Sequence, residues 1–338
     1  MKRLCLILCL AAAAPAHADV TEAVRDHALP GLARFATATA TLAAETTCEA
    51  APLQARWNDA FDAWLGIAHL RLGPVEEEGR ALAIAFWPDP KGIGARQTEA
   101  LRRAADPAVL APASMAEQSV ALRGLFGLER LLYAPAAPQG YDCDLIHALS
   151  RDLARMAAET RAGWQDGFAA ALLHPGPGGR YLTETEARQA LLTALITGLE
   201  FNADTRIGRP LGTFDTPRPE RAEARASGRS ARNIALSLAA LRDLAARLHQ
   251  PIPQTEAAFD RAIAQAGAVD LARLAEPQMW LKADILAQSI RAARDAALAE
   301  LGPALGGGRG LQRRGRGLNG CSAAVSSPAF WRRRPRPA

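Results

Sequence analysis

The chain has 338 residues, 49% hydrophobic and 22% charged, long enough to bury a sizeable core. Its formal charge of +5 invites a nucleic-acid or anionic-surface reading, but the charge is unevenly placed. Residues 303–338 hold eight arginines and no acid and residues 1–18 hold two cations, which leaves the body at 19–302 near −5 and removes a nucleic-acid partner.

Residues 1–18 combine Lys2 and Arg3, an apolar run from Leu4 to Ala14 and the small-residue pattern Ala16-His17-Ala18. That pattern predicts a secretory signal peptide cleaved after Ala18, and delivery to the periplasm or cell envelope. Leu4 and Leu8 precede the two early cysteines where lipid attachment wants a small residue, so no lipoprotein is expected. No later stretch approaches the roughly 18 apolar residues of a membrane span, so the mature chain is expected to have no transmembrane segment. Cys48, Cys143 and Cys321 remain, and an oxidising compartment predicts one pair. Cys48 with Cys143 is the expected disulfide, because both lie in the well-patterned region.

From 20 to 302, alanine, leucine, arginine and glutamate dominate and a 3.6-residue period recurs, while alternating β-branched runs are missing. This predicts an all-α protein with helices at about 20–45, 50–71, 94–104, 114–134, 142–168, 183–204, 228–249, 254–265 and 269–300. HPGPGG at 174–179 marks the junction between an N-terminal half, 19–173, and a C-terminal half, 180–302, giving two helical-bundle halves in an elongated double bundle. Gly127-Leu128-Glu129 recurs as Gly198-Leu199-Glu200, a weak signal that leaves duplication of the halves open. The tail at 303–338, rich in Gly, Pro and Arg, is expected to be disordered, either as a basic arm or as a non-native terminus from a shifted frame.

In the helix at 50–71, Trp57, Phe61 and Trp64 recur at helical spacing and read as a core stripe. His69 falls about 140° round from Trp64 on that helix, as a rim residue, a solvated histidine or a metal ligand. Glu76, Glu77 and Glu78 read as a solvated run. In the helix at 114–134, Leu122, Leu125, Phe126, Leu132 and Tyr133 lie within about 60° of Glu129, with Gly124 and Gly127 opposite. Glu129 thus sits on the apolar stripe and requires a partner, since a buried, unpaired carboxylate is costly. Glu186, Gln189, Thr193, Thr197, Glu200 and Asp204 form a polar stripe on the helix at 183–204. The stripe faces solvent, or it lines a groove in which Glu200 and Asp204 hold a cation through oxygen. The chain contains no HExxH, CxxC, GxSxG, Walker or dinucleotide-binding signature, so any reactive site must be assembled from distant segments.

The order of Trp57 and Trp64 before RLGP at 71–74, FWPDP at 86–90, RGLFGLERLLY at 123–133, YDCDL at 141–145, RPLG at 209–212 and RAEARASGRSARNI at 221–234 resembles the imelysin family of bacterial envelope proteins. The resemblance covers about 45–300 and implies an all-helical fold of two bundle-like halves and association with iron acquisition. Some members are described as metallopeptidases. The family's Gly-x-His-x-x-Glu motif is matched by Gly124, Phe126 and Glu129, with phenylalanine where the histidine belongs, so the simplest zinc-peptidase site is lost. Glu129 then either holds a metal with residues from elsewhere or pairs with an arginine and serves structure. The expectation is a non-catalytic protein of iron uptake or handling that binds a metal, a metal chelate or an envelope partner, with iron or another divalent metal as the candidate cofactor. A metallopeptidase and a structural adaptor of the envelope are the alternatives.

Overall fold

The computed structural model describes residues 19–306; the predicted signal peptide, Cys321 and nearly all of the arginine-rich tail lie outside the described residues. Asp19 starts the fold by capping the first turn, its carboxylate accepting from the amides of Thr21 and Glu22. Helix α1 opens as Val20–Glu22, widens into a π-helical turn over Ala23–Ala28 and continues as Leu29–Ala43. Helix α2 (Ala50–Leu65) follows, then α3 (Ile93–Ala104), α4 (Gly124–Leu132) and α5 (Tyr141–Gly163). The last of these runs on through a π turn at Trp164–Phe168 into Ala169–Leu173. Helix α6 (Glu184–Glu200) passes through a third π turn, Phe201–Ile207, into Gly208–Leu211, and α7 (Ser230–Leu248), α8 (Pro253–Ala266) and α9 (Pro277–Ala304) complete the chain. Among the described residues there is no strand, only an isolated bridge between Thr213 and Thr216, so the all-α expectation holds. No helix there is long and apolar enough to cross a membrane.

Helix α1 packs on α2 and α5, and α4 packs on α2 and α5; in the second half α6, α7, α8 and α9 pack on one another. Helix α7 crosses between the groups, touching both the π turn of α1 and α2. The buried apolar side chains accordingly form one continuous cluster through both halves, with Trp57, Phe35, Phe61, Trp164 and Phe259 among its largest fully buried members. Trp57, Phe61 and Trp64 are all buried, as their spacing predicts.

Three predicted helices are corrected. Helix α2 stops at Leu65, where Gly66 begins tight turns closed by Ile67 donating to Trp64 and Leu70 donating to Ile67, so His69 sits in a turn. The helix expected at 114–134 is broken into Pro112–Ala116 and α4. At the break, Gly124 has φ +67°, and a Cβ there would lie 2.2 Å from the carbonyl oxygens of Ala83 and Ile84. Arg123 pins the break with a buried two-point ion pair to Asp152, at 2.7 and 3.0 Å, while donating to the Ala116 carbonyl. Leu122 therefore lies outside the helix whose stripe it was expected to share. The helix expected at 269–300 begins at Pro277 and runs to Ala304, beyond the expected boundary at 302, and the Gly306 carbonyl accepts from Gln189.

Cys48 and Cys143 are joined by a disulfide, with Cα atoms 5.7 Å apart. It ties the segment before α2 to the first turn of α5 across a sequence separation of 95 residues. Closing a loop of that length removes enough unfolded-chain entropy to stabilise the fold by about 4 kcal/mol. Reductant, or Cys143→Ser, should lower the urea midpoint by a corresponding amount; a midpoint indifferent to reduction would show that the bridge does not restrain the unfolded chain.

Candidate functional site

The segment 222–230, between α6 and α7, places several buried polar side chains against three helices. Glu223 accepts from Arg206 Nε at 2.8 Å and from Asn233 Nδ2 at 2.9 Å. Arg206, in the π turn of α6, also donates to Asn202 and lies over the Phe201 ring. Arg229 donates to Asp62 on α2 at 2.5 Å, to Asn58 Oδ1 at 2.6 Å and to Asn233 Oδ1 at 2.7 Å, with its guanidinium 4.3 Å from the Phe61 ring centroid. Burial by itself would raise the Asp62 carboxyl; hydrogen bonds and charge from Arg232 and Arg229 outweigh it and hold it low.

Glu129 finds its partner in the same segment. Its Oε1 accepts from the Ser227 amide at 3.0 Å and the Ser227 hydroxyl at 2.7 Å. The hydrogen-bonding partner is therefore a serine 98 residues away, not the arginine that was one of the two expectations; Arg130 acts on the carboxyl only through its charge. Burial pushes the Glu129 carboxyl above its ordinary value, the two Ser227 bonds pull it back, and the Glu223 charge adds to the rise. Phe126, one turn back, stacks edge-to-face on Phe61 with centroids 5.5 Å apart. These residues do not fit an imidazole–carboxylate metal pair: an aromatic edge fills the histidine position, and one carboxylate oxygen is already taken. Gly127 belongs to the same tight packing, since a Cβ there would lie 1.9 Å from the Leu122 carbonyl oxygen.

A cavity of about 330 Å³ opens beside this network, lined in part by Trp64, Trp87, Phe201, His69, Arg206 and Glu223, with Arg71 at its edge. Asp89, in FWPDP, accepts from the Ile93 and Gly94 amides and so caps α3, while Trp87 meets Phe201 edge-on across 6.1 Å. His69 is buried against His27, whose Nε2 lies 3.0 Å from His69 Nε2. His27 Nδ1 is 2.7 Å from Asp243 Oδ2 on α7.

The nominated metal ligands are thus dispersed. Glu129 is with Ser227 and His69 with His27, whereas Asp204 pairs with Arg291 at 2.7 Å and Glu200 faces Arg294 at 3.7 Å, both arginines on α9. The polar stripe of α6 therefore spends Glu200 and Asp204 on a neighbouring helix, although Thr197 reaches the cavity wall. Among the described residues, the group of three donors within 4.8 Å of one another is Cys48, Cys143 and His147, of which both sulfurs are in the disulfide. His27, Asp243, Arg206, Glu223, Ser227 and Arg229 were not selected from the sequence. Their one visible signal was polar side chains within otherwise apolar helices and within the RAEARASGRS segment.

Comparison with known proteins agrees with this architecture. A family model described as Imelysin matches residues 21–305. "Iron-regulated protein A" of Synechococcus elongatus is 27% identical over 175 residues, a match spanning 50% of this chain and 44% of that relative. The crystal structure of an imelysin-like protein from Psychrobacter arcticum superposes with a TM-score of 0.73 at 21% identity, covering 85% of this chain and 94% of that one. A structure described as an iron-regulated protein A precursor, from Parabacteroides distasonis, gives 0.66 at 13% identity, covering 83% and 94%. At these identities the two structures establish the shared fold alone.

Two substitutions test the motif helix. Phe126→His removes the contact on Phe61 and buries a more polar ring, which should cost about 1–3 kcal/mol without metal. Added zinc should recover part of that loss in the variant but not in wild type, as read from thermal melts. Glu129 tests the buried charge. Because its folded-state value is raised, its stabilising contribution is complete below the ordinary glutamate value of 4.5 and is lost as pH rises through the folded value. Glu129→Gln, which mimics the protonated acid, should therefore gain in melting temperature relative to wild type as pH rises above the ordinary glutamate value of 4.5. A difference independent of pH would contradict the raised value.

Proposed function

The chain belongs to the imelysin family, and we propose that it is an exported, non-catalytic protein of iron uptake or handling that binds a metal chelate. The periplasm or cell envelope is the proposed location, and the curated relative named for iron regulation supplies the iron connection. The observation that carries the reading is the contrast between two places. At the motif, Phe126 is packed on Phe61 and Glu129 is committed to Ser227, so the usual imidazole–carboxylate means of holding a metal and activating its water has no donor set. In the cavity, aromatic walls from Trp64, Trp87 and Phe201 stand beside two guanidiniums, Arg71 and Arg206, which pair with Glu76 at 3.1 Å and Glu223 at 2.8 Å and leave no free carboxylate in the lining.

Such a lining suits a compact anionic complex with an apolar exterior better than a bare cation. A bare cation would meet Arg206 without a free carboxylate, since Glu223 is already bonded to Arg206 and Asn233. A volume of about 330 Å³ lies at the small end of ligand pockets. Iron held by small carboxylate or hydroxy-acid chelators falls in that size class.

Trp64 and Trp87 both line the cavity, so ferric citrate should quench intrinsic fluorescence saturably, with the effect lost in Arg206→Ala. The same preparation incubated with unfolded protein should leave it intact. Chelator-sensitive cleavage abolished by Glu129→Ala would replace this reading with a metallopeptidase. Absence of both quenching and cleavage, with an envelope protein recovered on pull-down, would replace it with an adaptor.

A further inference from the structure

The disulfide has a third donor beside it. Cys143 and His147 stand four residues apart at the start of α5, on one face of the helix, and Cys48 meets that face from the segment before α2. His147 Nε2 lies 3.9 Å from the Cys48 sulfur, and both sulfurs and an imidazole nitrogen fall within 4.8 Å of one another. Around a tetrahedral zinc ion, bonds of about 2.3 Å to sulfur and about 2.0 Å to nitrogen place neighbouring donors about 3.5–3.8 Å apart. Sulfurs carried on Cα atoms 5.7 Å apart reach that separation by side-chain rotation once the bond between them opens. The backbone beneath them does not depend on the bridge alone. Leu145, Ile146 and Leu149 of α5 and Leu53 of α2 are buried in the core, and α1 packs on both helices. All three donor residues are half-buried, and His147 lines a surface pocket with Glu45, Asp144 and Arg151 that gives water a way to a fourth position.

We propose that Cys48, Cys143 and His147 form a zinc site when the bridge is reduced, so that metal and disulfide are alternative states of the same two sulfurs. A dithiol reductant supplies two electrons and two protons: the S–S bond breaks, Cys48 and Cys143 become thiols, and the dithiol is oxidised to its own disulfide. Zinc then displaces the two thiol protons and forms two S–Zn bonds and one bond to His147, with water in the fourth position. Exchange with a disulfide runs both steps backwards and releases the ion. Two thiolates and an imidazole select a borderline or soft cation, and they favour zinc over ferrous iron. The site lies apart from the cavity and does not rest on the chelate-binding reading. It joins residues separated by 95 and 99 positions in the chain, and it gives the bridge a role besides restraining the unfolded state.

A parent chain carrying Cys5→Ser, Cys9→Ser and Cys321→Ser keeps Cys48 and Cys143 as its only cysteines. A phosphine serves as reductant, because it does not compete for the metal as a dithiol would. The reduced parent should take up one cobalt(II) ion, with thiolate-to-metal charge-transfer absorption and the visible bands of tetrahedral cobalt, and zinc should displace it. The same chain left oxidised keeps every histidine and carboxylate but has no thiolate, and it should show neither absorption. Zinc should also restore part of the urea midpoint that reduction removes, because the folded chain holds the donors together and the unfolded chain does not. His147→Asn, which keeps both thiols, should weaken zinc binding by at least about 10-fold, since losing a ligand costs no less than losing its outer support. Cooperative melts of the oxidised parent and variant establish that both are folded. Cobalt spectra that are the same before and after reduction, or no charge-transfer absorption after it, overturn the proposal. So does a bridge that the phosphine opens only in denaturant. Zinc affinity unchanged in His147→Asn overturns the three-donor site.

Discussion

The structure turns on the need to pair charges that folding removes from water. Arg206, Glu223, Arg229 and Glu129 are all buried, and each would be strongly destabilising alone. Their partners come from one short stretch and the helices it touches. Glu223 answers Arg206 on α6, Ser227 answers Glu129 on α4, and Arg229 answers Asp62 on α2. The stretch can take its path only when those three helices are in register. The apolar cluster supplies most of the burial, but helical surfaces rich in Ala and Leu can slide or rotate over one another with modest loss. The buried ion pairs and hydrogen bonds have far narrower geometry, and they hold the first half of the chain against the second beside the cavity.

The π turns contribute in a related way. A π turn shifts the side chains that follow it round the helix, and such turns are frequent at functional sites. The turn in α1 holds His27, and the turn in α6 holds Phe201 and Arg206. Each therefore delivers a polar or aromatic group to the cavity or its supporting network from within a long, otherwise regular helix. The third, at Trp164–Phe168, presents Trp164 and Phe168 to the core with ring centroids 4.7 Å apart. The chain thus reserves its departures from the 3.6-residue period for positions where a side chain must leave the face that the period dictates.

The motif helix shows how a local exception propagates. Gly124 and Gly127 permit backbone-to-backbone approach on one side of α4, while Phe126 and Glu129 face Phe61 and Ser227. No side of this helix is free, which explains why a single position matters so much. An imidazole at 126 would stand among aromatic rings one turn from the carboxylate, whereas phenylalanine extends the aromatic packing toward Phe61 and, through it, the Arg229 guanidinium.

The sequence by itself determined the helical class, because periodicity is local and the solvent enforces it, and it determined the Trp57, Phe61 and Trp64 stripe for the same reason. It also showed that Glu129 needs a partner, since burial follows from the helical face, but it could not name Ser227, 98 residues away. Helix ends were less legible. The break before Gly124 depends on the backbone of Ala83 and Ile84 approaching from elsewhere, and it also needs Asp152 to receive Arg123. Tertiary structure alone decided that Glu200 and Asp204 serve α9, that His69 meets His27, and that His27 meets Asp243. Those outcomes rest on directional contacts between residues distant in the chain. A one-dimensional pattern records which side of a helix is apolar, but it does not record which other helix will face it.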